Sequence, residues 1–186
     1  MATRPQRADA VDNHDRIVAA ARAALAGSNG TADELKLNLV AKAAGVGQGT
    51  LYRHFPTREH LLAEVYSQEM GDLVESVPTL LTELAPLEAL TQWFDRLLEY
   101  ARVKRGVIAA IEAATWRGLY ADHRDRLDEA LDDLLDRAQE SGDIRGDVDA
   151  TDVILLLGAL SRVPSSEWEM RSGKAVAVIL QGLRTR

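Results

Sequence analysis

The sequence predicts an all-α chain, with a three-helix helix-turn-helix head at the N-terminus, a helical bundle after it, and about nine helices in total. Two observations carry this. Apolar residues recur at spacings of three and four in almost every segment, and no segment alternates with the period of a strand. Glycines, prolines and capping residues interrupt that pattern at helix-length intervals. A composition of 46% hydrophobic and 27% charged residues is that of a globular chain, which rules out a disordered or fibrous one.

Taken in order, residues 1–11 read as a tail, in which Arg4 and Arg7 are the basic groups. Asp12 and Asn13 are candidate caps for a first helix. Its apolar face is Ile17, Ala20, Ala21, Ala24 and Leu25, and Gly27 to Gly30 ends it. A short second helix spans about Leu37 to Ala44, with Gly45 as its stop. A third covers Gln48 to His54, closed by Pro56, which disfavours a helical residue before it. Thr57 is the expected N-cap of a fourth helix over Arg58–Asp72, with His60 where a capping box prefers Glu. Pro86 opens a longer helix with Leu90, Trp93, Phe94, Leu97, Leu98 and Ala101 inward. Separate helices are expected over Val107–Trp116 and Asp122–Gln139, then a turn at Asp143–Val148. Two final helices, Ala150–Arg162 and Glu167–Arg184, are split by Pro164. The expected division is residues 1–60 as the head and 61–186 as the body.

The net charge of −7 is unevenly spread. Residues 1–60 are net +2 and the remainder net −9, and between Lys36 and Arg58 there are four basic residues and no acid. An acidic body with one positive patch confines a polyanion to that patch. There is no cysteine, so disulfides and thiolate metal sites are excluded and a reducing cytoplasm is the expected setting. No apolar run approaches the ~18–20 residues of a membrane span. The opening ten residues lack the apolar stretch of a secretory signal.

The segment from Leu37 to Arg58 carries the function. A helix-turn-helix needs a small residue where its helices cross, a glycine at the sharp turn, and an apolar residue in the second helix to close the core. Ala41, Gly45 and Leu51 stand at spacings of four and six and suit those three roles. Val40, Ala44, Val46 and Phe55 supply the other apolar contacts.

The run AGVGQGTLYRHFPTREHLL, residues 44–62, resembles the DNA-binding domain of the TetR family of transcriptional regulators, and the resemblance covers about residues 13–68. It implies a repressor released from a palindromic operator by a small-molecule effector and acting as a homodimer. By position, Gln48 and Thr50 open the recognition helix, and Gln is suited to a two-ended bond with adenine. Gly47 and Gly49 allow close approach to the groove, while Tyr52, His54 and Arg58 match phosphate contacts and Arg53 reaches bases or backbone. Lys36 and Asn38 flank the start of the second helix as further DNA contacts. Lys36 replaces the family's usual Ser or Thr, and Leu39 stands where a polar residue is common. The closing Leu180–Arg184 is similar to the end of a subgroup of these regulators.

In the body, Trp93, Trp116 and Tyr120 are candidates for lining an effector pocket, against the commoner role of aromatics as core. The last two helices are apolar on more than one face, which points to a dimer surface with Ile154, Leu157, Gly158, Val176, Ile179 and Leu183. Asp128, Asp132, Asp133 and Asp136 read as a solvated helix face, and His14, His60 and His123 have no ligand spacing. Gly45 to Gly49 lacks the preceding strand and following lysine of a nucleotide loop. No catalytic motif is legible, so the sequence argues for a non-enzyme with no cofactor and no metal. The rival readings are a helical adaptor whose head no longer reads DNA, and a small helical enzyme. The acid-free basic stretch argues against the first and the missing catalytic constellation against the second.

Overall fold

The computed structural model describes the backbone of residues 5–27, 35–110 and 113–185, and the side chains of residues 11–26, 35–101, 125–164 and 166–185. Among the described residues there are nine α-helices and no strand beyond one isolated bridge. The helices are α1 Pro5–Gly27, α2 Leu37–Ala43, α3 Gln48–His54, α4 Arg58–Glu75, α5 Val77–Glu83, α6 Pro86–Ala110, α7 Ala113–Glu140, α8 Ala150–Gly158 and α9 Trp168–Leu183.

Three boundaries differ from the sequence expectation. Helix α1 begins at Pro5, so most of the expected tail is helix, opened by a proline whose fixed φ suits a first turn. A separate helix α5 places Pro78 in its own first turn, where the missing N–H costs nothing. The expected pieces at Val107–Trp116 and Asp122–Gln139 are instead parts of α6 and α7. Gly106 and Gly118 lie inside those helices, at a cost of about 1 kcal/mol each relative to alanine.

The chain divides into two compact units: residues 1–68 with 102–119, and residues 69–101 with 120–186. Helix α4 runs out of the first unit and into the second at residue 68. In the first unit α1 packs on α2 and α2 on α3. Its buried apolar residues include Ile17, Val18, Ala21 and Leu25 of α1, Val40 and Ala41 of α2, Leu51 and Phe55 around α3, and Leu61, Leu62 and Val65 of α4. Each large side chain removed from water there contributes about 1.5–3 kcal/mol.

The second unit has Leu90, Trp93, Phe94, Leu131, Leu134 and Val153 in its core. Helix α7 ends in a Schellman turn: Gly142 takes φ +78°, and the N–H groups of Gly142 and Asp143 bond Gln139 O at 2.9 Å and Ala138 O at 3.0 Å. The chain end clips onto this turn. Arg145 N donates to Leu183 O at 2.8 Å, and Thr185 N donates to Asp143 O at 3.1 Å. Asp149 and Asp152 form a reciprocal capping box that starts α8. The expected end of that helix tightens into a 3-10 turn at Ala159–Arg162 before Pro164. Among the described residues no helix is long and apolar enough to cross a membrane.

Candidate nucleic-acid interface

Helix α2 stops where the sequence needs it to. Gly45 takes φ +65°, a conformation glycine adopts without strain. Val46 N returns to Ala41 O at 3.0 Å and Gly45 N to Lys42 O at 3.2 Å, which caps the exposed carbonyls of the last turn. From α1, the Arg16 guanidinium bonds Ala44 O and, at 3.2 Å, Gly45 O, tying the first helix to the turn. A Cβ on Gly45 would stand 2.7 Å from Arg16 Nη2, so a side chain there meets both the wrong φ and this contact.

Helix α3 is seven residues long, ~10 Å at 1.5 Å per residue. Leu51, 1% exposed, and the C-cap residue Phe55 anchor it to the core. Gln48, Gly49, Tyr52 and Arg53 lie on its exposed side, Tyr52 being half accessible. Arg53 Nε donates to Gly49 O at 3.1 Å, which lays the guanidinium stem along the helix. Thr50, His54 and Arg58 are partly covered, and Lys36, Asn38 and Gly47 are exposed. All ten sequence candidates therefore lie on or beside α2, α3 and the start of α4, within one compact unit.

Two of these positions have no explanation inside the chain. Gly47 and Gly49 have no positive φ, and a Cβ at either would meet nothing within 4 Å. Their smallness leaves room on the outer side of α3.

Thr57 caps α4. His60 N donates to Thr57 Oγ1 at 3.4 Å, and the His60 ring nitrogen Nδ1 lies 2.9 Å from the same oxygen. Hydrogen bonds from the Thr57 hydroxyl and then from its own backbone N–H hold the Glu59 carboxyl below the ordinary carboxylate range.

The structure brings in residues that spacing alone did not reveal. Arg16 is one, and His14 and Glu64 are two more. The His14 ring meets Phe55 at a centroid distance of 5.1 Å and His54 at 6.1 Å, and its Nε2 lies 3.9 Å from Glu64 Oε1. In sequence these are single polar residues on amphipathic helices, and only the packing of α1 brings them to the turn.

Of the body candidates, Trp93 sits in the core of the second unit, with its indole N–H donated to Leu73 O at 3.2 Å and its ring edge-on to Phe94. Trp116 and Tyr120 lie on α7, with side chains outside the described residues. Val176 and Leu183 turn inward and are buried by their own chain, so they pack the core and leave no side chain for a partner. Ile154, Leu157 and Ile179 are half-buried and Gly158 is exposed. The large apolar residues most open to solvent on these helices are Leu155 at 71% and Val178 at 69%, with Met170 and Leu156 half exposed. Among the described residues no group of three or more His, Asp or Glu side chains is placed to hold a metal ion.

Residues 17–65 match the model of bacterial regulatory proteins of the tetR family, and residues 85–185 match the C-terminal domain of SbtR-like transcriptional regulators. A TetR transcriptional regulator of Streptomyces coelicolor superposes with a TM-score of 0.77 at 38% identity, over 92% of this chain and 98% of that one. A TetR regulatory protein of Mycobacterium vanbaalenii does so with a TM-score of 0.71 at 30% identity, over 97% of this chain and all of that one. An HTH-type transcriptional regulator of Staphylococcus aureus is 28% identical over 108 residues, 58% of this chain and 57% of its own length. The chain belongs to the TetR family of transcriptional regulators.

Proposed function

We propose that this protein is a repressor that binds a near-palindromic operator as a homodimer in the cytoplasm and leaves it when a small molecule binds the helical body. One observation carries the DNA reading. Helix α3 is anchored by Leu51 and Phe55 while Gln48, Tyr52 and Arg53 face outward, beside two glycines that internal packing does not require. Gln48 is suited to read a base edge; Tyr52, His54, Arg58, Lys36 and Asn38 hold the phosphate backbone.

Leu155, Leu156 and Val178 support the dimer. Large apolar side chains left open on α8 and α9 are stabilised by a partner that removes them from water. A two-fold pair presents its recognition helices about one DNA turn apart, ~34–36 Å. An effector that alters this spacing with a coupling of about 1–3 kcal/mol changes operator affinity about 5–150-fold.

Genomic fragments retained by the purified protein at moderate salt test this reading, with the Tyr52→Ala, Arg53→Ala double variant beside it. A palindromic fragment retained by the parent and lost by the variant is the expected result. Retention without sequence preference, or unchanged in the variant, removes α3 as the reader and favours the adaptor reading.

A further inference from the structure

Within the first unit, α1, the end of α3 and α4 meet at one imidazole. His14 projects from α1 with one third of its side chain exposed. Its ring lies 5.1 Å from Phe55, tilted 36°, and 6.1 Å from His54, at 64°. The nitrogens face two carboxylates: Nδ1 is 3.2 Å from Asp15 Oδ1 on its own helix, and Nε2 is 3.9 Å from Glu64 Oε1 on α4. Gln68 Nε2 in turn donates to Glu64 Oε1 at 3.4 Å, which steadies that carboxylate one turn further along α4.

His54 is the last residue of α3 and Phe55 its C-cap. The His14 ring therefore packs against the C-terminal turn of α3, whose end Pro56 sets. We propose that His14 is a positioning residue for the recognition helix: its ring, packed against Phe55 and His54, holds His54 in the orientation that meets the phosphate backbone. His14 touches no DNA in this scheme and acts through His54. The inference rests on the reading of α3 as the DNA-contacting helix.

A double-mutant cycle on the full-length chain tests it, with affinity measured on the operator fragment and on unrelated duplex, and thermal unfolding followed in parallel. His14→Ala is expected to weaken binding to the operator and to unrelated duplex alike, by about tenfold, because His54 meets phosphate, which every duplex carries. In the His54→Ala background the same substitution is expected to cost less than about twofold, because the residue it positions is gone. His14→Phe keeps a ring against Phe55 and His54 and is expected to recover affinity to within about threefold of the parent. This recovery separates positioning from a loss of folded protein. Equal losses in both backgrounds, a loss confined to the operator, or no loss in His14→Ala would overturn the inference while leaving the regulator reading intact. A parent protein that shows no operator preference would overturn both.

Discussion

Helix α3 and the α8–α9 pair leave opposite kinds of surface uncovered. In α3 the two apolar anchors point inward and the exposed side is polar, with Gln48, Tyr52 and Arg53. In α8, buried residues are limited to Ala150 and Val153, while Leu155 and Leu156 stand in solvent beside half-buried Ile154 and Leu157. The difference shows how a short helix is assigned a purpose. A polar outer face is stable in water as it stands and marks a ligand surface only where charge and shape agree, whereas a large apolar outer face is stabilised by another apolar surface. Charge points the same way: no acid interrupts Lys36 to Arg58, and the rest of the chain after residue 60 is net −9.

The largest effect comes from breaking the anchor rather than the face. Leu51→Ala removes a side chain that is 1% exposed and is expected to destabilise the first unit by about 2–5 kcal/mol, read as a lower unfolding midpoint, with operator binding lost along with the fold. Gly45→Ala comes next. It forces an L side chain to φ +65° and displaces Arg16, for an expected cost of about 1–3 kcal/mol by the same measurement. Leu155→Asp with Val178→Asp tests the other surface. Sedimentation should show monomer in place of dimer, with little change in helix content. The smallest effect is at the edge of the positive patch. Lys36→Ala should leave unfolding unchanged and reduce the slope of log affinity against log salt by about one phosphate contact's worth.

Much of this was legible in sequence because the relevant signals are local. Gly45, Pro56 and Thr57 punctuate α2, α3 and α4, and the structure places α3 at Gln48–His54, as their spacing predicts. Pro164 separates α8 from α9, as expected. The inner ends of α6 and α7 were less legible because no proline or capping residue marks them. A lone glycine such as Gly106 weakens a helix without ending it, and summed packing along the helix outweighs that cost. Contacts between helices were not legible at all. His14, Arg16 and Glu64 come together only when α1 packs against the motif, and no spacing along one helix encodes that. The same holds for Val176 and Leu183: a helix apolar on several sides does not show which side its own chain covers.

The most direct measurement is a hydroxyl-radical footprint of the operator complex, repeated with Gln48→Ala. A dimer reading DNA through α3 predicts two equivalent protected patches with centres about 10–10.5 base pairs apart, and a loss of discrimination of about 1–3 kcal/mol at one base pair in each half-site for the variant. A single asymmetric patch would contradict the two-fold arrangement. A footprint and base preference unchanged by Gln48→Ala would contradict base reading through the outer face of α3.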